Sequence, residues 1–479
     1  YDRNDDGFSD ITRLRSETVG FRAYYKTSAH SRITGEYHHI HDFRRGGDNL
    51  DGAPHMSYIC EQIDHNIDGG SIKFDYFPNM RHRASIYASA QGISRATYFG
   101  ADMNPDAYGT TKDLTFVAGG QYTHNYKAGL PAELTAGVEY NYNSLNDYYI
   151  ATQRRLDQQT STIGLFAQNE WKSDKVNFLI GFRLDKHNMI DRPIFAPRAN
   201  VRYSPIEDLG LRLSYSSGYR APQAYNEDLH IDALNHSVSI IEIDPNLRPE
   251  FSHSFSASAD YYHSFGRLQT NFLVEGFYTM LNDVFTLEET GDDYDEEGNH
   301  YIYKTRRNAA GARIGGITAE VKIGIPNTFD VQLGYTFQKS LYVEPEQWSE
   351  DVEAQRTMFR SPDHYGYLNA KYFITKDFNA SLFGTYTGPM LVQHSAYTDI
   401  SGEEWDDSET RTQSFWDFGF KLSYTFSLSN VVSLEVNAGM KNIFDSYQRD
   451  IDMGAGRDSA YIYGPALPRT YFFGVKLFL

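Results

Sequence analysis

The first eleven residues of the chain, YDRNDDGFSDI, have the spacing of a calcium-binding loop. Read from Asp2, the pattern is D-x-N-x-D-G-F-x-D, with a glycine where such a loop turns sharply. Arg13 stands where this kind of loop usually ends in a bidentate glutamate, so Asp10 would be the last acid. A plain polar hairpin tip, which Asp, Asn and Gly also favour, stays open as the alternative. The predicted calcium ligands are the side chains of Asp2, Asn4, Asp6 and Asp10 and the backbone carbonyl of Phe8.

Three pairs of adjacent arginines stand out in a chain whose formal net charge is −19. Arginine offers a fork of N–H donors that fits carboxylate and phosphate groups, so these pairs suit an anionic ligand such as a metal chelate. Each pair taken alone could equally be neutralised by nearby acids or by anionic lipids. The six candidates for ligand contact are Arg44, Arg45, Arg154, Arg155, Arg306 and Arg307.

A histidine-rich stretch is followed by methionine and cysteine, at His38, His39, His41, His55, Met56 and Cys60. Together these residue types suit a soft metal such as copper, but their spacing matches no coordination pattern. The later acidic stretch GDDYDEEGNHY has no acid at its ninth position and is predicted to be a hairpin turn. No catalytic motif is found, so the sequence favours a protein that is not an enzyme and has no catalytic cofactor.

Composition excludes several classes of protein. Hydrophobic residues make up 40% of the 479 residues, yet the mean hydropathy is −0.55 and no run reaches the roughly 18 apolar residues of a membrane helix. A helical membrane protein is therefore excluded. The acidic balance argues against a nucleic-acid partner, and the single cysteine excludes an internal disulfide. The chain carries no initiator Met and no signal peptide, so we expect that a leader preceded it.

Alternation of apolar and polar residues is the main pattern along the chain. It is clear in Thr135 to Leu145, Asn177 to His187, Phe255 to Phe265 and Thr270 to Leu281. These segments often exceed ten residues, whereas strands of globular proteins average about 5–6 and tilted membrane-spanning strands need roughly 9–11. The pattern therefore predicts an all-β fold, a transmembrane antiparallel β-barrel.

The connections between these strands are of two kinds that largely alternate. Eight short turns, near residues 29, 78–80, 173–175, 205–208, 265–266, 326–328, 375–377 and 429–430, separate eight long polar links. Long loops on the outside and short turns on the periplasmic side are typical of outer-membrane barrels. We count about 19 strands, with residues 1–12 extracellular, and expect a parent barrel of 22 strands with a plug.

Several segments resemble TonB-dependent outer-membrane receptors. They are KNIFDSYQ (Lys441 to Gln448), GPALPRTYFFGVKLFL (Gly464 to Leu479), GYRAPQAYNEDLH (Gly218 to His230) and DPNLRPE (Asp244 to Glu250). EYHHIHDFRRGGDNLDGAPH is similar to receptors of the Bacteroidota. The resemblance implies that residues 1–479 are the barrel, that the N-terminal plug domain is absent from this sequence, and that a TonB-type energy-coupling protein acts through that plug.

The resemblance also points to two histidines. Haem receptors of this family flank a haem-ligating histidine with Y/F-R-A-P and N-P-N-L boxes, approximated here by Tyr219–Pro222 and Asp244–Leu247. His230 and His236 lie between these boxes and are candidates for contact with haem or another ligand. Both boxes also occur in family members that bind no haem, where they shape a loop, so both interpretations stay open.

The function expected from the resemblance is active import of a scarce nutrient chelate, a ferric siderophore or haem, captured by extracellular loops in the outer membrane of a Gram-negative bacterium. Cobalamin is the alternative substrate. A passive porin or an outer-membrane enzyme is the alternative of a different class. Expected partners are outer-membrane lipid, the chelate, the coupling protein and a surface lipoprotein.

Overall fold

The computed structural model describes residues 2–229, 232–234, 237–294, 300–399, 401–429, 431–465 and 467–478. Two short 3₁₀ helices, Pro54–Met56 and Asn226–Leu229, accompany 28 strands. No helix among the described residues has the length and apolar character needed to cross a membrane.

The strands are β1 (Arg13–Ser28), β2 (Ser31–Gly47), β3 (Ile59–Asn79), β4 (His82–Ala101), β5 (Tyr108–Ala128), β6 (Leu130–Tyr149), β7 (Arg154–Lys172), β8 (Val176–His187), β9 (Ile194–Ile206), β10 (Leu209–Arg220), β11 (Asp232–Leu234), β12 (Ser237–Ile243), β13 (Glu250–Phe265), β14 (Leu268–Asn282), β15 (Phe285–Tyr294), β16 (His300–Asn308), β17 (Gly311–Ile325), β18 (Phe329–Glu346), β19 (Gln355–Thr357), β20 (His364–Phe373), β21 (Phe378–Thr387), β22 (Leu391–His394), β23 (Tyr397–Thr398), β24 (Glu404–Trp405), β25 (Ser408–Arg411), β26 (Phe415–Ser427), β27 (Ser433–Lys441) and β28 (Thr470–Phe478).

Twenty of these strands form one large antiparallel sheet. Each strand pairs with the next long strand along the chain, and β19 is a three-residue addition at the end of β18. The other nineteen confirm the predicted number of strands. Within the described residues, β1 pairs with β2 alone and β28 with β27 alone.

The sheet curls until its two edges approach each other. Arg3, just before β1, donates a 3.1 Å hydrogen bond to Asp445 in the link before β28. Residues at opposite ends of a nineteen-strand sheet can meet in this way only if the sheet bends round on itself, as in a barrel.

The two faces of the sheet have opposite chemistry. In β13, Phe255 and Ala257 are exposed on the outward face, whereas the alternate residues Ser254 and Ser256 point inward. Successive side chains of a strand alternate between faces, so the sequence alternation puts apolar groups outside and polar groups inside. The charged pairs of β8, including Arg183 with Asp185 at 2.7 Å, lie on the inward face.

Aromatic and histidine side chains cluster near both ends of the outward face. His82 and His124 stack at 4.7 Å near one end, beside Tyr122 and Tyr126. These rings form belts in which the ring body is apolar and the tip is polar, as at membrane–water interfaces.

Nine short turns and nine longer links join the nineteen strands in alternation, and each link has more residues than the turns on either side of it. We call the end with the longer links the outer end and the other the inner end. Two connections escaped the sequence analysis. One is the turn at Gly129, whose φ of +73° suits glycine, and the other is the six-residue link 188–193.

Strands β2 to β7 are 17 to 21 residues long. A membrane needs roughly 9–11 residues per tilted strand, so this wall extends several residues beyond the apolar belt at the outer end. The predicted link from Arg44 to Asp64 is correspondingly shorter, because β2 continues to Gly47 and β3 begins at Ile59. Two clusters of buried apolar side chains, one that includes Tyr98 and Phe99 and one that includes Phe415 and Tyr461, also lie at the outer end.

Candidate functional site

The links after β10 and β14 fold together at the outer end of the molecule. β12 runs parallel to β16, and β11, β12, β16 and β15 form a four-stranded sheet that we call the mouth sheet. Ile240 and Tyr301 of this sheet pack with Tyr149 and Phe99 on the inward face of the tall wall. The mouth sheet therefore lies against the inner surface of the wall.

A buried set of charges fixes the mouth sheet to the wall. Arg306 donates from Nε to Asp228 Oδ1 at 2.6 Å, and the Asp228 side chain is fully buried. Arg154, at the start of β7, donates from Nη2 to the backbone carbonyls of Asp228 at 3.0 Å and of Ile241 at 2.9 Å. One acid in the link after β10 thus contacts arginines from the wall and from the neighbouring hairpin.

The wall supplies the rest of this set. Asp147 lies 3.4 Å from Arg154 and 3.5 Å from Arg95, and all three side chains are largely buried. Arg95 Nε also donates to Thr111 Oγ1 at 2.9 Å. Buried charges are tolerated when they are paired and hydrogen-bonded in this way. We call Arg95, Asp147, Arg154, Asp228 and Arg306 the mouth network.

The six predicted arginines therefore separate into different environments. Arg154 and Arg306 are brought together in the mouth network. Arg45 is buried and donates to the carbonyls of Gly52 at 2.7 Å and Asn49 at 2.9 Å, which fixes the link after β2.

The other three arginines are more exposed. Arg44 is 61% exposed on the inward face and donates from Nε to Asp42 Oδ1 at 2.8 Å, and Arg307 pairs with Glu288 at 2.5 Å. Arg155 is exposed on the outward face with its guanidinium 5.5 Å from the ring of Tyr148. Contact of the six arginines with a ligand stays a prediction.

His230 and His236 lie outside the described residues. Residues of the two flanking boxes make contacts that shape loops. Arg220 stacks 4.0 Å over the ring of Tyr225, and the Asn246 N–H donates to Asp244 Oδ1 at 2.8 Å in a tight turn. These contacts support the interpretation that the boxes shape a loop. Contact of His230 or His236 with haem stays a prediction.

Part of the histidine-rich stretch lies on β2, where successive side chains alternate between the two faces of the sheet. His39 and His41 share the outward face, where they contact Asp68 and Asp64, each at 2.9 Å. Cys60 is buried in an apolar cluster. Throughout the described ranges, no three His, Cys, Asp or Glu side chains converge in a geometry that could hold a metal.

The acidic stretch from Gly291 to Tyr301 joins β15 to β16, so it belongs to a hairpin as predicted. Residues 295–299 at its tip lie outside the described ranges.

The segment of residues 2–12 wraps on itself before β1. The Gly7 N–H donates to Asp2 Oδ2 at 2.9 Å, and the Arg3 N–H donates to Asp10 Oδ2 at 2.7 Å. Asp6 faces another partner, because its Oδ2 accepts from Arg457 and from the Gly454 N–H at 3.0 Å. The predicted calcium residues thus lie in one loop, with Asp6 turned toward the link before β28.

A second junction at the outer end was missed by the sequence analysis. His394 contacts Asp452 at 2.8 Å and stacks 3.6 Å from the ring of Tyr461. Burial raises the pKa of the neighbouring Asp458 carboxyl, which accepts from the Ser395 N–H at 2.9 Å. The partners are about sixty residues apart in sequence, so no local spacing reveals the junction.

Comparison with known proteins gives a consistent result. A family model described as TonB dependent receptor-like, beta-barrel, matches residues 1–443. No curated protein matches the sequence.

Solved structures share the fold at low sequence identity. A mutant of the ferric enterobactin receptor PfeA from Pseudomonas aeruginosa, in complex with enterobactin, is 14% identical with a TM-score of 0.73, over 98% of this chain and 70% of that one. The siderophore receptor PirA from the same organism is 13% identical with a TM-score of 0.68, over 97% of this chain and 71% of that one. The outer membrane transporter YddB from Escherichia coli is 10% identical with a TM-score of 0.71, over 98% of this chain and 69% of that one.

Proposed function

Because this chain belongs to the family of TonB-dependent receptor-like β-barrels, we propose that it captures a scarce nutrient chelate at its extracellular loops and imports it into the periplasm. The protein lies in the outer membrane, with its outer end extracellular and its inner end periplasmic. We propose a ferric siderophore as the first candidate for the cargo and haem as the second.

The mouth sheet is the observation that carries this proposal. A layer of extracellular chain is fixed against the inner wall by a buried ion network, so the entrance has a shaped surface above the barrel interior. A preorganised surface favours capture of a dilute ligand, because less conformational entropy is lost on binding. A passive pore, in contrast, functions by leaving its lumen open to water.

The choice of a ferric siderophore has weaker but specific support. Two of the structural relatives are siderophore receptors by name, and one of them holds enterobactin. In this chain, Arg44 presents an exposed guanidinium on the inward face at the extracellular end, where an anionic chelate would pass. Cobalamin remains the alternative cargo, and a porin or an outer-membrane enzyme the alternative class.

The remaining partners follow from the same proposal. We propose that the open edges of β1 and β28 are completed by further strands, that a plug fills the interior, and that a TonB-type protein acts on the plug. A Bacteroidota origin and a surface lipoprotein above the mouth sheet belong to the proposal as well.

Growth of a deletion strain tests the cargo. The strain is supplied with ferric enterobactin, haem or cobalamin as the sole source of iron or of the vitamin, with and without the restored receptor. We expect receptor-dependent growth on the ferric siderophore. If growth depended on the receptor only when cobalamin was supplied, the proposed cargo would be wrong. If the strain grew equally well with and without the receptor on all three sources, the proposed import function would be wrong.

Two arginine variants sharpen the same experiment. Arg44→Gln removes a charge facing the interior, and Arg155→Gln removes one that faces outward beside Tyr148. We expect roughly tenfold weaker chelate binding for Arg44→Gln, the loss of one charge-assisted contact, and unchanged binding for Arg155→Gln. Equal losses in both variants would remove Arg44 from the binding surface.

A further inference from the structure

Two carboxylates of the segment 2–12 each have one oxygen satisfied and one that lacks a hydrogen bond. Asp2 and Asp10 use Oδ2 to accept backbone N–H groups of the same segment. Their Oδ1 atoms are buried and have no hydrogen-bond partner. The Asp10 side chain is only 10% exposed. A buried carboxylate oxygen without a partner is costly, so these two atoms indicate that something else satisfies them.

The charges around the segment do not balance. Asp2, Asp6 and Asp10 carry three negative charges, and Arg457 contacts two of these carboxylates, those of Asp6 and Asp10. It contacts Asp6 directly and lies 3.8 Å from Asp10 Oδ1, while its guanidinium stacks 4.7 Å from the ring of Phe8. One guanidinium against three carboxylates leaves a deficit of two positive charges, which is the charge of one divalent cation.

The donor atoms that remain are oxygens of the kind that calcium prefers. In the sequence, Asn4 and Phe8 lie between Asp2 and Asp10 in the order that a calcium loop uses, with Asn4 supplying a side-chain oxygen and Phe8 its backbone carbonyl. The Asn4 side-chain oxygen accepts the Asp6 N–H at 3.3 Å and keeps a second lone pair that an ion can use. Calcium accepts such flexible, carbonyl-containing shells, whereas magnesium demands near-ideal octahedral geometry.

We propose that residues 2–12 bind one calcium ion through Asp2, Asn4, Asp10 and the Phe8 carbonyl, and that the ion clasps this segment to the link before β28. Asp6 joins the shell if it gives up one of its contacts with Arg457 and Gly454. Through Arg457 and Gly454 the site connects the segment before β1 to the link before β28, and these are the two edges of the sheet. The clasp is independent of the cargo proposed above.

Calcium titration of the full receptor in detergent tests the site. The chelator-stripped protein is titrated calorimetrically with CaCl₂ and, separately, with MgCl₂. We expect calcium to bind with a dissociation constant on the order of 10⁻⁴–10⁻³ M or tighter, as extracellular sites do, and magnesium to bind far more weakly. No heat of binding up to about 10 mM calcium would overturn the proposal.

Three aspartate variants locate the ion. Asp2→Asn and Asp10→Asn should each weaken calcium binding at least about tenfold, since each removes a charged ligand. Asp5→Asn is the matched control, because Asp5 carries the same charge in the same loop, is exposed, and lies outside the ligand spacing. It should stay within about twofold of the unsubstituted receptor, and an equal loss in Asp5→Asn would mean diffuse charge attraction only.

Arg457→Gln separates ion binding from misfolding. Removing the competing guanidinium should tighten calcium binding by several-fold, because a positive charge near the ion is lost. A damaged loop would weaken binding instead, and that outcome would overturn the role given to Arg457. Because no cargo is present in these titrations, their failure leaves the import experiment unaffected.

Discussion

Asp228 connects parts of the chain that are distant in sequence. Its carboxylate faces Arg306 of β16, and its backbone carbonyl accepts from Arg154 of β7. The side chain is fully buried. When one member of a buried ion pair is removed, the other is left as an uncompensated charge, and the cost is about 3–5 kcal/mol.

Asp228→Asn should therefore release the link after β10 from the wall. We expect limited proteolysis within residues 221–249 of the variant to be much faster than in the unsubstituted receptor, because 3–5 kcal/mol is about two to four powers of ten in the population of the opened link. The measurement is the digestion rate followed by mass spectrometry.

Glu242→Gln is the control for this prediction, since Glu242 is an exposed acid of the same link. Its digestion rate should match that of the unsubstituted receptor. If Asp228→Asn also matches, the mouth network does not hold the link in place.

The residue scale is where the sequence was least informative. Arginine pairs could be recognised as chemically active, but their partners could not, because Asp228 and Arg306 are 78 residues apart. A strand also sends adjacent residues to opposite faces, so each pair divides its two side chains between different environments. The calcium spacing was visible because all its residues lie within one loop, and ion binding there remains a proposal.

At the scale of the strand, alternation is the feature that organises this molecule. Leu213 is exposed on the outward face of β10, and the next residue, Ser214, faces inward and contacts Asn200 at 2.6 Å. The two positions are one residue apart at nearly the same depth in the membrane, which makes them a matched pair.

Leu213→Arg should destabilise the folded receptor by about 2–4 kcal/mol, the cost of placing arginine against lipid near the membrane centre. Ser214→Arg should cost far less, because the inward face already carries Arg212 and Arg202 next to one another across β9 and β10. The measurement is the denaturant midpoint of the receptor in lipid vesicles. A larger loss for Ser214→Arg would mean that the two faces are assigned the wrong way round.

The strands were also the most predictable part of the molecule. The length of the alternating segments and the alternation of turns with links predicted about 19 strands, and the structure has nineteen long ones. Two connections escaped, the turn at Gly129 and the link 188–193; the first is a single residue between two strands, and the second was overlooked although Asn188, Asp191 and Pro193 are typical of a strand boundary. Strand extension beyond the membrane was not anticipated, because polar residues at the tips of β2 and β3 look like loop sequence.

At the scale of the whole molecule, the odd number of strands means that β1 and β28 run in the same direction. With the longer links outside the cell, as we propose, both strands run from the extracellular end toward the periplasm and every short turn is periplasmic.

Epitope insertion tests this topology. A short tag between Asp191 and Arg192 should bind antibody on intact cells, because this link lies at the extracellular end. A tag between Gly266 and Arg267, in a periplasmic turn, should bind only after the outer membrane is permeabilised. If intact cells bound antibody at the second tag and not at the first, the sheet would lie in the membrane in the opposite orientation.

The open edges of the sheet have an energetic consequence. Along β1, Val19, Phe21 and Tyr25 are strongly exposed, and in the described residues one side of this strand has no neighbour. Such a row of backbone N–H and C=O groups is a template for adding another strand. In hydrocarbon each unsatisfied group costs several kcal/mol. Strand pairing along β1 and β28 is thus a condition for residence in the bilayer, and a bare sheet would dimerise or aggregate edge to edge.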